Sequence, residues 1–275
     1  VQQVRLLIID EVHLLHEDRG PVLESLVART LRTVEKTQTV IRIVGLSATL
    51  PNYMDIAQFL RADPVHGVFH FDSSYRPVLS MTFVGTRDNN PTTQKAKQTI
   101  NEICFDKALV PLKKGQQVMV FVHSRRDTVG TAQKLLELAQ KSGATAAFLP
   151  PQDTPQACAS MKAFARQVQT SRNRDLQDLF SYGLSIHHAG MLRKDRNLVE
   201  KLFAAGAVRL LVCTATLAWG VNLPAHTVII KGTQVYNAER GGFVELGMLD
   251  IMQIFGRAGR PQYDSSGEGV IITTG

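Results

Sequence analysis

Val4-Arg5-Leu6-Leu7-Ile8-Ile9-Asp10-Glu11-Val12-His13 is the stretch from which the fold can be read. Its apolar residues run together rather than alternate, the pattern of a strand buried on both faces of a parallel sheet. Parallel sheets receive their ligands at the carboxyl ends of their strands, so Asp10 and Glu11 fall at the edge where α/β proteins do chemistry. Pro21 then marks a helix start, and Val22, Leu23, Leu26, Val27, Leu31 and Val34 follow at helical spacing. Residues 41–46 read as the next strand. Ser47-Ala48-Thr49 and a short helix near 53–60 come after it. Strand, helix, strand, helix predicts a doubly wound α/β fold.

A polar stretch over 71–77, containing Asp72-Ser73-Ser74-Tyr75-Arg76-Pro77, reads as a linker, and the pattern restarts beyond it. Helices are expected at about 94–109 and 127–141 on either side of a strand at 117–122. A Pro-containing stretch (150–156) leads into helical segments that run to 180. A strand at 184–186, a helix at 193–204, strands at 208–213 and 227–231, a helix at about 249–256 and a strand at 269–273 complete the series. The expected division is two domains, 1–78 and 79–275, each built on a parallel sheet, with no internal repeat.

The 275 residues are 44% apolar, an ordinary globular content, and no apolar run reaches the length of a membrane span. The first residues do not form a secretory signal. Three separated cysteines, Cys104, Cys158 and Cys213, without a C-x-x-C pair, argue for a reducing intracellular setting and against a cysteine-held zinc. The net charge of +7 is uneven: residues 1–78 carry 8 Lys/Arg against 9 Asp/Glu, and 79–275 carry 23 against 15. A basic second half suits a polyanion such as RNA or DNA, although a mildly basic solvated surface has the same composition.

Several groups carry chemistry by type and position. Asp10 can hold Mg²⁺ through water, and Glu11 can take a proton from an attacking water; the plainer alternative is an acidic helix start favoured by the helix dipole. His13 is either part of that site or a packing histidine. Ser47 and Thr49 either couple a bound nucleotide to movement or cap the following helix. Gln253-Ile254-Phe255-Gly256-Arg257-Ala258-Gly259-Arg260 places two arginines three apart, neighbours if the segment is helical, with glycines that allow close approach to phosphate. Thr214 and Thr216 follow an apolar strand, as do Ser124 and Arg125, and hydroxyls and amides there can grip a nucleic-acid backbone. His187-His188 invites a metal reading, but adjacent histidines diverge and no third ligand lies nearby in sequence. No G-x-x-x-x-G-K-[ST] phosphate loop occurs.

Taken in order and spacing, these blocks resemble the Ski-type helicases of superfamily 2. Asp10-Glu11-Val12-His13 looks like motif II, Ser47-Ala48-Thr49 like motif III and residues 121–125 like motif IV. Residues 187–190 look like the conserved block that follows, 214–224 like motif V, and 253–260 like motif VI. Wording such as His16-Glu17-Asp18-Arg19-Gly20-Pro21 and Ala218-Trp219-Gly220-Val221-Asn222-Leu223-Pro224 is similar to the large helicases that contain two such cassettes, and to the amino-terminal cassette.

That resemblance implies two RecA-like domains, the first cut short on its amino-terminal side, and ATP with Mg²⁺ as cofactors. Asp10 would hold the metal through water and Glu11 would be the general base. Gln253, Arg257 and Arg260 would meet the γ-phosphate across the cleft, with Arg260 the arginine finger. His13, Ser47, Thr49 and Gly220 would couple hydrolysis to motion. Ser124, Arg125, Thr214 and Thr216 would follow the loaded strand. A β-hairpin between Gly232 and Leu246, turning at Gly241-Gly242, would separate strands during 3′→5′ movement. The implied partners are single-stranded or partly duplex RNA or DNA and the other subunits of a larger complex, with no membrane. The implied address is intracellular, the nucleus before the cytoplasm. Without a phosphate loop these residues are expected not to hydrolyse ATP by themselves. Two other classes stay open at this point: a non-catalytic cassette that serves as a scaffold, and a metal-dependent nuclease built on Asp10 and Glu11.

Overall fold

The computed structural model describes residues 4–16, 20–48, 50–72, 75, 78–86, 93–151, 153–217, 221, 223–237, 240–259, 264 and 266–274. The chain divides into two compact units, Val1–Arg76 and Pro77–Gly275.

In the first unit, β1 (Leu6–Ile9) lies parallel to β2 (Arg42–Gly45), with Leu6 opposite Arg42 and Ile9 opposite Gly45. A 3₁₀ turn (Val12–His16) and α1 (Gly20–Thr37) connect them, and α2 (Tyr53–Phe59) follows. Leu23, Val27 and Leu31 lie four apart along α1. They form its inner stripe, packed with Leu7, Ile9, Val12, Ile43 and Ile56. Val22 and Leu26, assigned to the same stripe from sequence, are exposed. The reading of β1 as buried on both faces is also corrected. Leu7 and Ile9 point into this small core, whereas Leu6 and Ile8 are exposed, Ile8 to 57%. The two-stranded sheet covers one face only among the described residues.

The second unit holds a six-stranded, all-parallel sheet in the order β3-β10-β7-β4-β6-β5. Its strands are β3 (Val78–Thr86), β4 (Val118–Val122), β5 (Leu184–His187), β6 (Leu210–Thr214), β7 (Thr227–Lys231) and β10 (Ser266–Thr274). The helices are α3 (Gln94–Lys113), α4 (Arg125–Lys141), α5 (Pro155–Gln169), α6 (Arg174–Phe180), α7 (Arg193–Ala204) and α8 (Met248–Phe255). Strand β4 is the run Val-Met-Val-Phe-Val, and every residue is buried, as a central parallel strand requires. Edge strand β3 was not expected from sequence. It pairs with β10 along its whole length, and Met81 and Phe83 on it are exposed. Its mixed content, Ser80 and Thr82 among larger apolar residues, hid it beside the linker. A separate antiparallel hairpin, β8 (Gln234–Asn237) with β9 (Gly242–Glu245), leaves the end of β7.

Candidate nucleotide and nucleic-acid sites

The first site is built where β1 runs out. Strand pairing extends one step past Ile9, because the Leu46 amide donates to Ile9 O and the Val12 amide to Leu46 O. To make that second bond the chain turns sharply, and Glu11 takes a left-handed backbone with φ of 54°. A non-glycine residue in that conformation costs about 1–2 kcal/mol, so the pairing and the buried Val12 hold it there. The Asp10 carboxylate accepts from the Glu11 amide at 2.9 Å, which sets its orientation at the sheet edge. A 3₁₀ turn, Val12–His16, follows the pair directly, and α1 starts at Gly20.

His13 is buried beneath Glu11. Its Nδ1 accepts from the Ala48 amide at 3.2 Å, so the proton sits on Nε2, which lies 3.3 Å from Glu11 Oε2. The ring therefore joins Glu11 to the segment 47–48. Ser47 does not cap the following helix: its hydroxyl bonds the Ala48 carbonyl, and Asn52 occupies the cap position of α2. Thr49 lies outside the described residues. The Ala48 amide, as His13's partner, could not be found by reading side chains.

In the second unit the strand order sets neighbouring carboxyl ends side by side. Val122 stands opposite Thr214 across β4 and β6, and His187 opposite Cys213 across β5 and β6. Ser124, just past β4, caps α4 by accepting from the Asp127 amide, and its hydroxyl donates to Asp127 at 2.7 Å. Arg125 is exposed, and its chain runs so close to Gly190 that an added Cβ there would come within 3.0 Å of it. The hydroxyls of Thr214 and Thr216 lie 2.9 Å apart. Ser124, Arg125, Thr214 and Thr216 thus share one edge, as four groups following one strand require. Gly220 lies outside the described residues. The two histidines part company: His187 Nε2 meets Glu200 at 2.9 Å, while His188 Nδ1 accepts from the Gly190 amide. Burial pulls both below the ordinary histidine value, His187 against the opposing pull of Glu200.

The segment 253–259 corrects one expectation. The helix that carries Gln253 stops before Arg257, because α8 ends at Phe255 with Gly256 as its cap. Gln253 stands on the last turn and Arg257 just past it; Arg260 lies outside the described residues. What fixes the segment is the sheet. The Ala225 amide donates to Arg257 O, and the Gly259 amide, at φ 84°, donates to Ala225 O. Strand β10 contributes Gly267-Glu268-Gly269 beneath this loop. A Cβ on Gly267 would come 2.6 Å from the Gly259 nitrogen, and one on Gly269 would strike the Phe255 ring at 2.9 Å. Both glycines are needed for close approach, and Ala225 and Gly267 were missed from sequence because they carry no functional group.

Two parallel-sheet units with these edges define a RecA-like helicase core. Among known families, the model described as DEAD/DEAH box helicase matches residues 1–56, and that described as helicase conserved C-terminal domain matches 158–262. The chain belongs to the DEAD/DEAH-box helicases.

Within them it is similar to activating signal cointegrator 1 complex subunit 3. Identity is 62% over 274 residues with the Rattus norvegicus protein and 61% over 274 residues with the Homo sapiens one, covering 99% of this chain and 12% of each of theirs. It is 57% identical over 272 residues to the DExH-box ATP-dependent RNA helicase DExH14 of Arabidopsis thaliana, over 98% of this chain and 12% of that protein. The chain spans about 12% of the length of these curated relatives.

Proposed function

We propose that this chain is part of a motor that couples ATP hydrolysis to 3′→5′ movement along a nucleic-acid strand and to duplex unwinding. The observation that supports this most strongly is the Glu11–His13–Ala48 linkage, in which a buried ring orients a carboxylate from a neighbouring segment of backbone. A purely structural acid at a turn has no need of such an arrangement.

Hard oxygen donors suit Mg²⁺, which takes one or two carboxylates and keeps waters and phosphate oxygens for its other positions. Asp10 and Glu11 supply that number, and no group of three His, Cys, Asp or Glu stands together among the described residues. The donor set fits Mg²⁺, with Asp10 as its contact through water. When bound, Mg²⁺ would neutralise charge on the phosphate oxygens. Glu11 accepts the proton of the attacking water, and His13 Nε2, 3.3 Å from one carboxylate oxygen, keeps the other aimed. Gln253, Arg257 and Arg260 offset the negative charge that builds on the transferred phosphoryl group, with Arg260 as the finger. His13, Ser47, Thr49 and Gly220 couple hydrolysis to motion. Ser124, Arg125, Thr214 and Thr216 hold the backbone of single-stranded RNA or DNA. The other partners are subunits of a complex, as the name of the cointegrator relatives suggests.

Nucleic-acid-stimulated ATP hydrolysis by a longer chain that carries a phosphate loop ahead of residue 1 is the test, set beside its Glu11→Gln variant. Turnover in the first and at least a hundredfold less in the second supports the motor. Nucleotide binding with silence in both makes the cassette a scaffold. Robust turnover by the 275 residues alone would overturn the proposal that they are inactive by themselves.

A further inference from the structure

A cavity of about 390 Å³ opens in the second unit between α3, α4 and the base of the hairpin. Of the helicase blocks only 121–125 contributes to its lining among the described residues, through Val122 and His123. Its floor is Lys231, the last residue of β7, largely enclosed and half-buried by Ile100, Val122 and Gly232 around it. The ammonium donates to Thr131 at 2.7 Å, and no carboxylate reaches it within ion-pair distance among the described residues. An enclosed ammonium satisfied by one hydroxyl out of three possible acceptors is costly unless something else arrives. Lys97 stands exposed beside the same cavity. The Asn101 amide oxygen is buried with no hydrogen-bond partner. Phe243, on β9, offers an exposed ring at the rim.

The fourth side supplies the second observation. Gly130 lies inside α4, where glycine costs about 1 kcal/mol relative to alanine. A Cβ placed there would meet no atom within 4 Å, so packing within the protein does not demand a glycine. It keeps space open on the cavity wall. His123 cannot supply the missing charge balance, because its Nε2 proton is committed to the Gly232 carbonyl at 2.6 Å and burial holds the ring neutral. Asp127 also lines the cavity and its charge acts on Lys231, but it makes no ion pair with the ammonium and accepts from Ser124 instead.

We propose that this cavity is a nucleotide-unit site: Lys231 and Lys97 take a phosphate, the Asn101 oxygen accepts from a sugar hydroxyl or base amine, and the Phe243 ring takes a base face. Cations, an acceptor and an aromatic ring around one cavity match the phosphate, polar and apolar parts of a nucleotide unit. A nucleotide unit comes from a strand or from a free nucleotide. Assigning it to a strand rests on the motor reading above, since Asp127, which lines the cavity, holds the Ser124 hydroxyl. Burial depresses the Lys231 ammonium below its ordinary value, and a bound phosphate reverses that shift.

The experiment measures binding of a short fluorescein-labelled single-stranded RNA by anisotropy, and of adenosine 5′-monophosphate by calorimetry. The proteins are the 275-residue chain and its Gly130→Leu, Lys231→Met and Arg125→Ala variants. Gly130→Leu is expected to weaken binding at least tenfold with no fall in melting temperature. Lys231→Met is expected to weaken RNA binding about tenfold and to reduce the salt slope by about one counterion. Monophosphate binding that depends on Gly130 assigns the site to a free nucleotide; RNA binding alone that depends on Gly130 assigns it to a strand. RNA binding that needs Arg125 but ignores Gly130 and Lys231 overturns the site and leaves the motor reading standing. Gly130-dependent monophosphate binding without RNA binding does the reverse. Failure of the folded wild-type chain to bind either ligand also overturns the site.

Discussion

The backbone amide of Ala48 donates to Nδ1 of His13 at 3.2 Å, and that bond decides which nitrogen of the ring faces Glu11. With Nδ1 occupied as an acceptor, Nε2 carries the proton and lies 3.3 Å from the Glu11 carboxylate. The ring is buried and Glu11 is about half exposed, so the histidine is the fixed member and the carboxylate is positioned by it. A displacement of the segment 47–48 would pull on the ring and re-aim the carboxylate. This is a direct physical route from backbone motion to the proposed base.

Replacing His13 by alanine removes the orienting donor, leaves the Ala48 amide without its acceptor, and empties a buried site. The first unit is expected to lose about 2–3 kcal/mol, seen as an earlier denaturant midpoint. His13→Asn retains a polar group but cannot span both partners, and it should recover part of the stability without recovering turnover in a phosphate-loop-containing chain. Equal recovery of both would show that the ring only fills space.

Gly267 tests whether the sheet positions the arginine segment. Its missing side chain lets β10 come within contact of Ala258 and Gly259. Gly267→Ala must push that loop away, since the opposing atoms are backbone. Expected is a loss of about 1–3 kcal/mol in stability together with a several-fold weaker response of ATP turnover to phosphate contacts, read as kcat falling more than KM rises. Gly85→Ala, where a Cβ would meet nothing within 4 Å, is the control and should leave both unchanged.

The fold was legible in sequence where strands are continuous apolar runs. Val118–Val122 and Thr227–Lys231 are of that kind. It was less legible where burial depends on what lies opposite. Nothing in Leu6-Leu7-Ile8-Ile9 says which face a neighbour covers, and β3 resembles its linker until β10 pairs with it. The site was read by side-chain chemistry, which proposes charged and hydroxyl residues and passes over the Ala48 amide, the Ala225 bridge and the Gly267-Glu268-Gly269 floor. These act through backbone atoms and through absent side chains, which only the folded geometry makes visible. Arg257 and Arg260 were placed on a helix for the same reason: the glycines were taken as room for phosphate, while Gly256 caps α8 and Gly259 makes the turn.

Acid should weaken the second unit through His187. Burial depresses its folded value below the ordinary 6.5, despite Glu200. Above 6.5 the ring is neutral in both folded and unfolded chains and the contribution is constant. As pH falls through 6.5 the unfolded chain binds a proton first, so stability is lost until the folded value is passed. Thermal unfolding between pH 7.5 and about 5 should show this slope, and His187→Gln should flatten it. A parallel slope in the variant would assign the pH dependence to other groups, His123 and His188 first among them.

The three cysteines should separate by reactivity. Cys104 is fully buried and its thiol is pushed up to about 12, and burial pushes Cys213 well above its ordinary value too. At pH 8 the thiolate fraction at Cys104 is then about one in ten thousand, before access is considered. Cys158 is only half-buried. A thiol reagent should modify Cys158 in minutes and reach Cys104 and Cys213 only on unfolding, as mass spectrometry of labelled peptides would record. Early modification of Cys104 would mean that α3 opens away from β7 in the native state.

The hairpin offers the sharpest separation of activities. Tyr236 and Phe243 stand opposite one another on β8 and β9, their rings 5.6 Å apart and nearly perpendicular at 75°. Both are largely exposed, so they gain little from burial, and their mutual contact is worth about 0.5–1.5 kcal/mol. An isolated two-stranded hairpin is marginal in water, so a term of that size governs whether it stays erect. The hairpin carries none of the residues assigned to ATP or to the edge of Ser124, Arg125, Thr214 and Thr216; only Phe243 on it belongs to the proposed nucleotide-unit cavity. Tyr236→Ala should therefore leave strand-stimulated ATP turnover within about twofold of wild type while cutting duplex unwinding roughly tenfold. Tyr236→Phe, which keeps the ring pair, should restore unwinding. If Tyr236→Ala unwinds as fast as it hydrolyses, strand separation does not depend on this hairpin, and the work is done by movement along the strand alone.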